Sequence, residues 1–104
     1  MVNKPAKAAN EPIPKRLRAL RKVLGYDQAN HFARDLGVTA NAYGNVEAGS
    51  PLSTKMMIKI NVLCPDVTWE WLQLGNERFL SVDMRRKLRI AEAENAADAR
   101  AESS

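Results

Sequence analysis

Hydrophobic positions along the chain repeat with the spacing of short amphipathic helices. In the first such segment Leu17, Leu20 and Leu24 fall at i, i+3 and i+7, which places them on one helical face. The same kind of spacing predicts helices over about 15–24, 28–36, 39–47, 53–63 and 68–74. No segment of 15–75 has the pattern of a strand, and the connections are only a few residues long. The pattern therefore predicts an all-α, five-helix bundle.

Residues that favour helix ends bound these segments. Asp27, Thr39, Ser53 and Thr68 are predicted to be N-caps, because a short polar side chain can accept a hydrogen bond from the first helical turn. Glycine, which ends helices readily, follows four of the segments at positions 25, 37, 49 and 75.

The two ends of the chain have different compositions from the middle. Residues 1–14 contain three prolines and few apolar residues, which predicts a disordered arm before a domain at 15–80. In the extension at 81–104, Met84, Leu88 and Ala91 share one helical face. No large apolar residue follows Ile90, so we expect this helix to fray or become disordered beyond about residue 93.

Composition excludes several classes of function. The 104 residues include one cysteine, Cys64, and one histidine, His31, so the chain has no internal disulfide, cysteine-rich zinc motif or histidine cluster. We find no nucleophile–base pair or metal-ligand set, and we expect neither an enzyme nor a bound cofactor. Without a secretory signal or a long apolar run, the sequence predicts a cytoplasmic protein with no membrane partner.

The positive charge is concentrated in the first half of the chain. Residues 1–49 carry eight basic and four acidic side chains, whereas 50–104 carry eight of each. Much of the excess lies in one cluster: Lys15, Arg16, Arg18, Arg21 and Lys22. Such a cluster suits a polyanionic partner, and it is equally typical of a solvated helix face.

The predicted helices at 28–36 and 39–47 are joined through Gly37 and Val38, which is the arrangement of a helix-turn-helix. Ordered landmarks surround them: Leu20-Arg21, Gly25, Gln28, Phe32 to Thr39 (FARDLGVT), Val46 to Gly49 (VEAG) and Trp71 to Gly75 (WLQLG). On these motifs the stretch 16–75 resembles the XRE family of Cro-like and lambda-repressor-like DNA-binding domains. The spacing from Asp27 to Phe32 is one residue longer than the usual pattern.

The resemblance implies sequence-specific binding of double-stranded DNA by a small transcriptional repressor, associated with the nucleoid of a bacterium or phage host when bound. Helix 39–47 would enter the major groove, with base contacts from Ala40, Asn41 and Asn45. The expected phosphate contacts, two of which come from the basic cluster, are Gln28, Thr39, Gly44, Arg18 and Lys15. The family pattern also implies a structural ion pair between Arg21 and Glu47.

Two further expectations concern partners. Family members bind palindromic operators as dimers, and the large apolar residues left over near helix five predict a homodimer surface formed by Trp69, Phe79, Leu80, Met84 and Leu88. The alternative function is a protein–protein interaction module, antiactivator-like or antitoxin-like, that does not bind DNA. This alternative is supported by the absence of Arg, Lys and Gln from the outward face of helix 39–47. Gly44 fits either function, because it permits close approach to DNA or marks a surface no longer used for it.

Overall fold

Residues 12–103, which a computed structural model describes, form six α-helices and contain no β-strand. The helices are α1 (Pro12–Val23), α2 (Ala29–Leu36), α3 (Ala40–Glu47), α4 (Thr54–Leu63), α5 (Trp69–Leu74) and α6 (Val82–Ser103). The predicted all-α class is therefore confirmed. The predicted C-terminal extension forms the sixth and longest helix.

The core gathers one apolar face from every helix. Leu17 and Leu20 of α1 are fully buried, and α1 packs against α3, α5 and α6. Phe32 of α2 contacts Tyr43 of α3 edge to face, with ring centroids 5.2 Å apart. These contacts fix α2 and α3 on the body of the domain, and α2 also packs against α4.

Three of the four predicted N-caps are present. The side-chain oxygens of Thr39, Ser53 and Thr68 each accept a hydrogen bond from a first-turn N–H, at 3.0 to 3.1 Å. The prediction that Asp27 caps α2 is wrong: the N-cap residue is Gln28, whose carbonyl oxygen accepts the first helical bonds. The start of α2 is thus displaced by one residue, as the longer spacing before Phe32 suggests.

Both ends of the helical region extend further than predicted. The helix α1 begins at Pro12 instead of Lys15, which a proline in the first turn permits because its missing N–H has no helical acceptor. The remainder of the predicted arm, residues 1–11, lies outside the described residues.

Helix α6 runs to Ser103, beyond the predicted fraying at about residue 93. Six of the eleven residues from 91 to 101 are alanine, the best helix former, so high propensity takes the place of large apolar anchors. Glu94 also forms an ion pair with Lys22 of α1, at 3.4 Å. The predicted apolar face is confirmed, since Met84, Leu88 and Ala91 are buried.

Candidate nucleic-acid interface

The turn between α2 and α3 is tight and internally hydrogen-bonded. Gly37 follows α2 with φ +84°, a left-handed conformation that favours glycine, and its N–H donates to the carbonyl of Arg34. The N–H of Val38 donates to the carbonyl of Ala33 at 3.0 Å, which completes a Schellman motif. Val38 packs against the core. The turn therefore holds α3 at a fixed angle to α2.

The outward face of α3 carries small and amide side chains. Ala40, Asn41 and Asn45 are exposed, as predicted for base-contacting residues, while Tyr43 and Val46 are buried on the opposite side. Thr39 caps the N-terminal end of this helix with its hydroxyl. Since α3 has no charged residue before Glu47, its exposed face offers amide donors and acceptors in place of charge.

A network of side chains braces the C-terminal end of α3. The predicted ion pair is present, with Arg21 Nε 2.8 Å and Nη2 3.3 Å from the two carboxylate oxygens of Glu47. The hydroxyl of Tyr43 donates to the same carboxylate. Burial, together with the nearby Glu47 charge, raises the pKa of Tyr43 well above its ordinary range, so this hydroxyl stays protonated.

Arg21 also joins the segment before α2 to this network. Its Nη1 donates to the carbonyls of Tyr26 and Asp27, at 3.2 and 3.1 Å. One guanidinium thus connects α1, the entry to α2 and the end of α3. The relative position of α2 and α3 is fixed at both ends, because the turn holds one end and Arg21 holds the other.

The basic cluster of α1 is largely engaged within the molecule. Arg16 donates to the Leu72 carbonyl of α5 at 3.1 Å, and Arg18 donates to the Glu47 carbonyl at 3.4 Å. Positive groups at these C-terminal helix ends complement the helix dipoles. Lys15 and Arg18 line a cleft of about 280 Å³ whose other wall is α6. Two predicted phosphate ligands are therefore located at the junction with α6 and the C-terminal end of α3.

The sequence interpretation missed a lysine beside the α2–α3 turn. The ammonium of Lys59, in α4, lies 3.8 Å from the position that a Cβ on Gly37 would occupy. This places a positive charge beside the turn, at the C-terminal, negative end of the α2 dipole. The signal was the spacing of Lys55 and Lys59, one turn apart on α4, but only the apolar face of that segment was interpreted.

The remaining phosphate candidates, Gln28 and Gly44, lie on α2 and α3 on either side of this turn. Gln28 is exposed and its side chain makes no capping bond, so its amide is available at the N-terminal end of α2. Gly44 lies in the second turn of α3, and a Cβ built there meets no atom within 4 Å. The single acid between residues 28 and 46, Asp35, accepts a hydrogen bond from Tyr26 at 2.6 Å, which lowers its pKa.

The predicted homodimer surface is only partly exposed. Trp69 and Phe79 are at the surface, but Leu80, Met84 and Leu88 are buried in the core. The proposal that these three form an intermolecular surface is wrong, because they fill the space between α6 and the rest of the core. The sequence could not separate the two roles, since a helix presents the same apolar face to its own core or to a partner.

Residues 12–103 contain no cluster of metal-ligating side chains, and none of their helices is long and apolar enough to span a membrane. Cys64 is buried, and burial raises the pKa of its thiol. His31 is exposed on α2.

Comparisons of the chain with family models, curated proteins and solved structures found no match.

Proposed function

We propose that this chain is a sequence-specific double-stranded DNA-binding protein that reads the major groove with α3 and represses transcription by occupying its operator. The observation that carries the proposal is the exposed, uncharged polar face of α3, held rigidly by a short turn and by the Arg21–Glu47 pair. An eight-residue helix that projects from a fixed turn has the dimensions of a recognition helix. The ordered landmarks shared with the XRE family support the same function.

The side chains of α3 suit bases in A·T pairs. An asparagine amide donates to N7 and accepts from N6 of adenine in the major groove, and the Ala40 methyl group can contact a thymine methyl. Asn41 and Asn45 lie one turn apart, so they reach neighbouring base pairs on one strand. We therefore expect each half-site to contain adenine at two close positions.

Phosphate contacts come from both ends of α2, the N-terminal end at Gln28 and the α2–α3 turn at Gly37. The amide of Gln28 lies at the positive N-terminal end of α2, and Lys59 supplies an ammonium beside the turn. Lys15 and Arg18 have a smaller part in this proposal than the sequence implied, because both face the cleft with α6.

The experiment is a selection of binding sites from random duplex DNA, followed by titration of the selected site with two pairs of variants. Asn45→Ala should lose about 1–3 kcal/mol of binding free energy and relax the preference at one base pair. The control Asn30→Ala removes an exposed amide from α2 and should leave that base preference unchanged. Selection that recovers no consensus sequence would contradict the proposal.

The second pair of variants tests the phosphate assignment. Lys59→Ala should weaken binding to all sequences alike and reduce the salt slope by about one unit, since one fewer counterion is released. Lys15→Ala removes the same charge from α1 and should have the smaller effect. A larger effect of Lys15→Ala than of Lys59→Ala would instead favour the phosphate contact by Lys15 that the sequence predicted.

The second candidate function is a protein-interaction module that does not bind DNA. It is favoured by four large apolar side chains that remain exposed on α4 and α5, namely Ile58, Val62, Trp69 and Leu74. Capture of a partner from nuclease-treated host lysate, without any selected DNA site, would favour this function over the first.

A further inference from the structure

The cleft between α1 and α6, of about 280 Å³, is lined by one face of each helix. Residues that differ in number by three or four share a helical face, and this spacing relates the main lining residues: Lys15 and Arg18 on α1, and Glu92, Asn95, Ala99 and Arg100 on α6. The volume is close to the lower limit of about 300 Å³ for small-molecule sites. The cleft therefore has room for a small organic molecule.

Positive charge predominates in this cleft. Lys15, Arg18 and Arg100 each contribute one positive charge and Glu92 contributes one negative charge, which leaves the lining with a net charge of +2. Neither Lys15 nor Glu92 takes part in an ion pair within residues 12–103. Like charges that converge on a concave surface produce a strong local potential. A ligand with two negative charges would balance it.

Arg18 is held in place at this cleft by the end of α3. Its Nη1 donates a long hydrogen bond, of 3.4 Å, to the carbonyl of Glu47. Because a guanidinium has several N–H donors, it can keep this bond while it contacts an anion, and its planar shape matches the paired oxygens of a carboxylate or phosphate. A group that is oriented before binding loses less freedom when the ligand arrives.

Asn95 provides a second observation that points to a ligand. Its side-chain nitrogen is buried and has no hydrogen-bond partner in the part of the chain that the structure describes, although an amide nitrogen is a hydrogen-bond donor. Buried polar atoms nearly always have a partner, so one without a partner marks a place where a bound molecule supplies the acceptor. An anion in the cleft would bring oxygen atoms to this nitrogen.

We propose that the cleft between α1 and α6 binds a small organic dianion, either a dicarboxylate or a phosphate monoester. Lys15, Arg18 and Arg100 bind its acidic groups, Asn95 donates a hydrogen bond to it, and Glu92 opposes its charge. The two basic residues of α1 that the sequence predicted as DNA phosphate contacts thus bind a small molecule. The proposal goes beyond DNA recognition and holds whether or not the chain binds DNA.

NMR titration of the full ¹⁵N-labelled chain, without DNA, tests the proposal. The probes are succinate and phenyl phosphate at constant ionic strength, with neutral succinamide and phenol as their controls. We expect at least one of the two dianions to shift the side-chain amide signals of Asn95 in a saturable manner, with a Kd of about 1 mM or below. The neutral molecules should leave these signals unchanged. Asn95→Ala identifies the signals by removing them.

Three variants test the charged residues of the cleft. Lys15→Gln and Arg100→Gln should each weaken dianion binding by about tenfold, since each removes a charge-assisted hydrogen bond. Both residues are exposed, so these variants should fold. Glu92→Gln should strengthen binding by about threefold, because it removes a like charge. As a control, Lys55→Gln removes a positive charge from the exposed surface of α4 and should leave the affinity unchanged.

Three results would overturn the proposal. One is the absence of a saturable shift with either dianion up to about 10 mM, which is tenfold above the expected Kd. Another is dianion binding that Lys15→Gln and Arg100→Gln weaken no more than Lys55→Gln does. The third is a short duplex DNA that shifts the Asn95 signals when neither dianion does, which would favour the DNA phosphate contacts predicted from the sequence.

Discussion

The substitution Gly44→Ala should raise the stability of the chain and lower its affinity for DNA, so it separates these two properties. Gly44 lies within α3 on the flank of its exposed face, and a Cβ added there meets no atom within 4 Å. The protein itself therefore has room for the methyl group. If α3 enters the major groove, the added methyl group points towards DNA.

The size of the stability change follows from helix propensity. Glycine in a helix interior is less favourable than alanine by about 1 kcal/mol, and no clash opposes the gain. We expect Gly44→Ala to raise the free energy of unfolding by about 0.5–1 kcal/mol, and the melting temperature by about 5 °C for a domain of this size. On the DNA side, a methyl group that separates α3 from the groove should weaken binding to the selected site by about tenfold, or about 1.4 kcal/mol.

The assays are urea unfolding and fluorescence anisotropy on the selected duplex. Ala97→Gly makes the reverse exchange at an exposed position of α6, and should lower stability without changing DNA affinity. This control variant shows whether DNA affinity changes simply because the stability of the chain changes. A Gly44→Ala chain that is stabilised and binds DNA as the wild type does would refute close approach of DNA at this turn of α3. A Gly44→Ala chain that is less stable than the wild type would refute the conclusion that the protein has room for the added methyl group.

Substitutions at three other positions test the scaffold and the dependence of its stability on pH. Glu47→Ala should lower the free energy of unfolding by about 3 kcal/mol, because it leaves the mostly buried Arg21 guanidinium without its counter-ion. A loss below about 1 kcal/mol in urea unfolding would contradict a stabilising role for the Arg21–Glu47 ion pair. Thr39→Ala removes the α3 cap and should cost about 1 kcal/mol, whereas Thr39→Ser should restore most of it by the same assay. The hydrogen bond from Arg89 lowers the pKa of Glu77 below its ordinary value of 4.5, so its contribution is complete above that pH and is lost as pH falls through the lowered pKa. Stability measured against pH should therefore fall less steeply on the acid side in Glu77→Gln than in the wild type, and identical curves would contradict this assignment.

Local signals in the sequence predicted most of the helices. A capping residue such as Thr39 or Ser53 acts on its own first turn, and the spacing of apolar residues fixes which face of a helix is buried. Both effects depend on residues within one or two turns, so they can be predicted before the fold is known. The error at Asp27 is also local, because the choice between two adjacent cap positions depends on which carbonyl starts the helical bonds.

Long-range partners could not be predicted in the same way. The basic cluster of α1 suggested a surface for a polyanion, yet Arg18 reaches a carbonyl 29 residues away and Lys22 pairs with Glu94 of α6. Sequence gives the sign of a charge but not the acceptor that the fold brings to it. Leu88 was likewise assigned to an intermolecular surface, because only the packing of α6 on α1 shows that it belongs to the core.

The most direct test of the central claim is fluorescence anisotropy with DNA from upstream of the chain's own gene and a scrambled duplex of equal composition, each at two salt concentrations. DNA recognition by α3 predicts a preference of about 10³-fold or more for the upstream sequence, with affinity that falls steeply as salt rises. It also predicts that Asn45→Ala reduces this preference by about 1–3 kcal/mol while binding to the scrambled duplex stays the same. Weak and equal binding to both duplexes would contradict the claim.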